Sequence, residues 1–172
     1  MLFRSVGANC YYLLFEPELV DRVLADAEAM KLRLLRIWAF NDGGRRNDDE
    51  IKAGGVVLQP SLGVYNEAGF CRLDEVLSKA GEKGFKVIMT LTNYWVHYGG
   101  IPQYGRWLGL DDPEAFYTNP LAKQYYKQYI AYVLERINTF TGKKYKDSPE
   151  IFAWQLCNEP RCKSDPSGDT LC

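Results

Sequence analysis

The chain has one histidine, His97, among its 172 residues. One histidine cannot build a histidine-based metal cluster. A Ser-His-Asp triad would have to recruit it, and no nucleophile elbow accompanies it. The five cysteines, Cys10, Cys71, Cys157, Cys162 and Cys172, are odd in number and contain no C-x-x-C pair. A cysteine metal site of that pattern is therefore excluded. No G-x-G-x-x-G follows the first apolar segment, which counts against a dinucleotide fold. No stretch of 18 apolar residues occurs, so no membrane span is indicated. Charge of one sign is also lacking. With 21 basic and 22 acidic residues the net charge is -1, which gives no electrostatic footprint for nucleic acid or an anionic membrane. The opening stretch MLFRSVGANCYYLLF lacks the basic, apolar and small-residue order of a signal peptide, and Phe3 already reads as mature fold. No N-x-S/T sequon is found.

What is present is an alternation. The chain is 47% hydrophobic and 14% aromatic, enough for one domain with a substantial core. Strands are expected at Phe3–Phe15, Leu34–Phe40, Phe85–Asn93 and Glu150–Glu159. Helices are expected at Pro17–Leu32, Ala68–Gly84 and Pro120–Asn138, from apolar residues at helical spacing, proline in a first turn and glycine at a close. Tyr125, Tyr126, Tyr129 and Tyr132 recur at that spacing and read as packing. The stretches Asn41–Glu67 and Tyr94–Asn119 read as loops. Helices between unalternating apolar strands imply a parallel sheet with right-handed crossovers. A doubly wound sheet or a (β/α)8 barrel would satisfy that order. Polar and aromatic residues gather just after each strand, at the rim where barrel enzymes build their sites. Four strands make about half of a barrel, since a whole one takes roughly 250 residues. A partial record, or one half of something that pairs, is the expectation.

The segment FAWQLCNEPRC (Phe152–Cys162) carries the chemistry. An apolar strand delivers Asn158 and Glu159 at its tip and then stops on Pro160. A partly buried carboxyl there would keep its proton near neutral pH and suit a general acid. The bland alternative is a turn begun by Asn158, with Glu159 paired to Arg161. Cys162 and Cys172 bracket a polar loop that a disulfide could close. Cys10, Cys71 and Cys157 lie in apolar sequence and read as inert core thiols. Asp42, in FNDGG, reads as a turn residue.

In order, the stretches GANCYYLL, LLRIWAFNDG, LQPSLGVYNEAGF, LTNYWVHYGG and FAWQLCNEPRC resemble the endo-β-1,4-mannanases of glycoside hydrolase family 5, closest to the plant and fungal type. The resemblance covers about Phe3 to Leu171. It implies the N-terminal half of a single (β/α)8 catalytic domain over residues 1–172, first four β/α units only. It implies a secreted retaining hydrolase of mannans, glucomannans and galactomannans, with no metal or organic cofactor. By position, Glu159 resembles the acid/base and Asn158 the neighbouring donor to the sugar. Arg36 resembles the arginine that holds the nucleophile carboxylate, which would lie beyond this chain in the missing half of the barrel. Trp95 and Asn93 resemble cleft residues, and Arg161 the arginine of the N-E-P-R run. Trp38, Tyr11, His97 and Tyr98 are weaker cleft candidates. Glutamine and cysteine in QLCNE depart from the pattern, and Cys157 would touch the site floor. Another β-1,4-glycanase such as a cellulase, or a non-catalytic carbohydrate-binding chain, is the competing reading.

Overall fold

The computed structural model describes residues 5–44 and 56–171. Four strands, β1 (Gly7–Asn9), β2 (Leu34–Trp38), β3 (Lys86–Thr90) and β4 (Ile151–Gln155), form one sheet in the order β1-β2-β3-β4. Every pairing is parallel. Helices α1 (Val20–Ala29), α2 (Glu67–Glu82), α3 (Gly100–Leu108) and α4 (Pro120–Glu135) fill the crossovers.

One face of the sheet packs against the helices. Leu35, Ile37, Val87 and Met89 are buried against Val20 and Leu24 of α1 and Phe70, Leu73 and Leu77 of α2. Each such side chain contributes about 1.5–3 kcal/mol on burial. The opposite face carries Arg36, Ile88 and Ala153 in one row and Trp38, Thr90 and Gln155 in the next. That face presents polar groups to the site. A register shift between Val87 and Ile88 leaves Phe152 as an extra residue in β4 and brings Gln155 level with Thr90.

Local chemistry sets the helix starts. Asn66 caps α2 by accepting from Ala68 N, and Asn119 caps α4 by accepting from Leu121 and Ala122 N. Pro120 fills the first turn of α4. Tyr129 is buried, Tyr126 and Tyr132 pack against the same core and Tyr125 against the cluster of Ile101 and Tyr104, so the tyrosine row is packing as expected.

Three expectations are corrected. The first strand is only Gly7–Asn9, because Leu13 N bonds Cys10 O and Phe15 N bonds Tyr12 O, turning the apolar run over the sheet. Phe3 lies outside the described residues. The loop expected at Tyr94–Asn119 contains α3, whose Ile101 and Tyr104 are buried against Phe116 and Ala122. The final strand ends at Gln155, four residues short of Glu159.

Candidate active site

Beyond the sheet, the tips of β3 and β4 meet once more. Asn93 and Asn158 form a parallel bridge, with Asn158 N donating to Thr92 O and Tyr94 N to Asn158 O. Gly99 and Gly100 hold this loop close. A Cβ on Gly100 would lie 2.4 Å from Asn93 O, and both glycines have positive φ.

Arg36 sits at the centre. Its Nε donates to Gln155 Oε1 at 2.8 Å, Nη1 to Asn9 Oδ1 at 3.0 Å and Nη2 to Asn158 Oδ1 at 2.7 Å. These three amide oxygens come from β4, β1 and the β4 tip. Asn158 Nδ2 then donates to Asn93 Oδ1 at 2.9 Å, and Asn93 Nδ2 to His97 O at 3.3 Å. Burial lowers the Arg36 pKa, while the nearby Glu159 carboxylate favours its charge.

Glu159 stands at the rim with φ +47°, directly before Pro160. A non-glycine residue in the left-handed region costs about 1–3 kcal/mol, and such strain gathers at functional sites. Trp95 Nε1 donates to Glu159 Oε2 at 2.7 Å. Arg161 lies 3.9 Å from the same oxygen, with its guanidinium 4.9 Å from the Trp95 ring centroid. The three side chains thus hold one another at the strand tip.

The sequence-predicted residues therefore fall into two linked groups. Arg36, Asn158 and Asn93 form a hydrogen-bonded chain, while Glu159, Trp95 and Arg161 form a triangle beside it. The expectation of a partly buried Glu159 is corrected. Its side chain is 58% exposed, because no described element covers the β4 tip from the other side. The pairing of Glu159 with Arg161, weighed as the bland alternative, is present as well. Trp95 is 40% exposed, with Arg161 over its ring. Trp38 and Tyr98 are buried, their rings 5.4 Å apart, and belong to the core. Tyr11 and His97 are exposed at the rim.

Sequence reasoning missed Asn9, Gln155 and Thr90 as parts of the site. Asn9 and Gln155 carry amides at strand ends, and that was the available signal. Cys157 is also corrected. It lines a cavity of about 580 Å³ with Phe116, Tyr117, Tyr126 and Leu156, on the helix side and away from Arg36. Burial pushes its thiol up to about 12. Cys71, by contrast, is not in the apolar surroundings expected, for its sulfur lies 3.5 Å from Glu67 Oε1 and 3.8 Å from Arg136 Nη2. The Cys162–Cys172 pairing falls partly outside the described residues. Asp42 is buried, bonded to Gln59, and followed by Gly43 and Gly44 at positive φ, as a turn residue should be. Among the described residues no group of three or more His, Cys, Asp or Glu could hold a metal ion. No helix among them is long and apolar enough to cross a membrane.

The sequence model described as GH family 5 beta-mannosidase-like matches residues 22–171. The chain belongs to this family. It is 43% identical to the putative mannan endo-1,4-beta-mannosidase 9 of Oryza sativa subsp. japonica, over 98% of this chain and 41% of that protein. It is 38% identical to mannan endo-1,4-beta-mannosidase 3 of Arabidopsis thaliana, again over 98% of this chain and 41% of that one. The fold matches the endo-beta-1,4-mannanase of Thermotoga petrophila with a TM-score of 0.87 and 36% identity, over 98% of this chain and 37% of the other. It matches the endo-1,4-beta-mannanase of Rhizomucor miehei at 0.80 and 34% identity, over 93% and 45%. The chain thus spans about 41% of the length of these curated relatives. Its four-stranded sheet corresponds to part of the (β/α)8 barrel of the family's solved members.

Proposed function

We propose that this chain carries the acid/base half of an endo-β-1,4-mannanase that works by retention. The observation behind the proposal is the presentation of Glu159 at the β4 tip, held by Trp95 and set beside an arginine that only neutral oxygens fix. Mannan cleavage by the relatives named above supports the substrate class.

The chemistry would run as follows. Glu159 gives its proton to the glycosidic oxygen as that bond breaks, and a second carboxylate attacks the anomeric carbon. Glu159 then takes a proton from water, which releases the sugar and restores the acid. The second carboxylate comes from outside these residues in this reading, because none joins Arg36 and Glu159 among those described. Asn158 has one amide N–H left after bonding Asn93, and that donor suits a sugar hydroxyl. Trp95 offers an aromatic face at the rim for a pyranose ring. Arg161 braces Glu159. The mechanism calls for no cofactor, and a polymeric substrate puts the protein outside the cell.

The test is to sequence the transcript past the Cys172 codon and express its full product. Cleavage of mannan and glucomannan, lost about 10²–10⁴-fold in Glu159→Gln, supports the proposal. Equal cleavage of carboxymethylcellulose would favour the cellulase reading. Hydrolysis of mannan by the 172-residue chain alone would overturn the claim that the second carboxylate lies elsewhere.

A further inference from the structure

We propose that Asp42 is a positioning residue for the β4 tip, its buried carboxyl anchoring the loop between β3 and α3 that holds Trp95 against Glu159. The catalytic meaning of that contact rests on the reading above, but the coupling itself does not.

Trp95 reaches Glu159 from the loop that joins β3 to α3. Its ring is 40% exposed, and Nε1 donates to Glu159 Oε2 at 2.7 Å. The place of the indole therefore follows its backbone. That backbone turns through three successive left-handed residues, Tyr98 at φ +58°, Gly99 at +90° and Gly100 at +56°. A tyrosine in that region persists only where its surroundings over-determine it. Asp42 supplies the support. Its N donates to Tyr98 O at 2.9 Å, and the Gly100 N–H acts on its carboxyl. A Cβ on Gly99 would lie 2.2 Å from Asp42 O, so the two backbones touch. A Cβ on Gly100 would lie 3.0 Å from Trp95 O, which carries the contact on to the residue that holds Glu159.

The surroundings of the carboxyl suit its neutral form. Oδ1 accepts from Gln59 Nε2 at 3.0 Å, and Oδ2 has no partner among the described residues. The titratable side chains that feel it are Tyr65 from the segment before α2, Tyr104 from α3, and Tyr126 and Tyr129 from α4. All are neutral phenols, and no lysine, arginine or histidine is among the groups that act on it. Burial pushes its pKa up to about 8. Above that pH a buried anion with one unmatched oxygen needs water or a new donor. Strand β2 is held by ladders on both flanks, so the strained turn at Tyr98–Gly100 yields first. Trp95 then draws away from Glu159.

Fluorine NMR of the 172-residue chain labelled with 5-fluorotryptophan tests this, in a His97→Gln background that removes the loop's own imidazole. Trp95 is assigned by its loss in Trp95→Phe. Between roughly pH 6 and pH 9.5 its resonance should shift with a midpoint near 8, while that of Trp154 in β4 stays in place. In Asp42→Asn the Trp95 transition should vanish. A transition that persists in Asp42→Asn, or none in the parent, overturns the proposal. So does a midpoint shared by Trp95 and Trp154, since the whole fold then responds rather than the loop. Should Asp42→Asn not fold, the comparison of Trp95 with Trp154 still decides. No readout uses mannan, so an inactive full-length product that keeps the Trp95 transition would fault only the hydrolase reading.

Discussion

A single buried carboxyl shows how residue chemistry constrains this fold. Asp42 is fully buried, with Gln59 Nε2 donating to Oδ1 at 3.0 Å and no partner for Oδ2. Burial is the main cause that pushes its pKa up to about 8, against the hydrogen bonds from Gln59 and the Gly100 backbone. The folded protein therefore holds this proton at neutral pH, while the unfolded chain releases it near 4. Its contribution to stability is fully present below about pH 4, falls as pH rises, and is lost above about pH 8. The slope reaches ~1.4 kcal/mol per pH unit for one proton. Asp42→Asn should remove this slope and make the variant the more stable protein at pH 9. Urea unfolding at pH 5, 7 and 9 measures it, and an unchanged slope in the variant counts against the assignment. A glycine beside it is equally constrained. A Cβ on Gly99 would sit 2.2 Å from Asp42 O, at φ +90°. Gly99→Ala should cost ~2–4 kcal/mol, whereas Gly109→Ala, also at positive φ but with nothing within 4 Å, should cost only ~1 kcal/mol.

Between elements, one ionic cluster ties α2 to the end of α4. Arg136 donates to Asp74 through Nε at 2.9 Å and Nη2 at 2.7 Å, and to Glu67 at 2.9 and 2.8 Å. Tyr145 Oη and the Thr139 hydroxyl and amide also donate to Asp74, whose side chain is 0% exposed. Burial works against the Arg136 charge, but the two carboxylates outweigh it and raise its pKa. Removing the arginine strands a buried carboxylate, so Arg136→Met should cost ~3–5 kcal/mol. Adding Asp74→Asn should recover part of that loss, which a double-mutant cycle by urea unfolding would detect as non-additivity. The cluster also marks the limit of what the sequence could say. The α4 repeat and its Asn119-Pro120 start were legible, but its end was not. The helix stops at Glu135 rather than Asn138 because Arg136 turns toward a partner 62 residues away. Helix α3 was hidden for a local reason. Gly99, Gly100, Pro102 and Gly105 read as a loop, yet the glycines permit close backbone approach and Pro102 falls in the first turn. The order of Arg36, Asn93 and Asn158 along the strand ends was readable. Their direct bonding, and the bracing of Arg36 by Gln155 and Asn9, depend on register across the sheet, which no short motif carries.

At the scale of the molecule, the sheet is well covered in its middle and sparsely at one side. Strands β2 and β3 are paired on both flanks, while among the described residues β1 pairs only with β2 and β4 only with β3. The consequence shows on β4 and just past its end, where Phe152 within the strand is 48% exposed and Leu156, the residue after it, is 60% exposed. An open parallel edge bearing apolar side chains is a template for association. About half of each side chain still meets water. A lysine at either position keeps the strand backbone and adds a charge that opposes edge pairing. Phe152→Lys combined with Leu156→Lys should therefore raise the concentration at which the 172-residue chain stays monomeric by ~tenfold or more, with a loss of stability under ~1.5 kcal/mol. Sedimentation across a concentration series reads the first quantity and urea unfolding the second. Association that persists unchanged in the double variant would place the sticky surface elsewhere. A large loss of stability would show that β4 is anchored by these two side chains rather than by its ladder with β3.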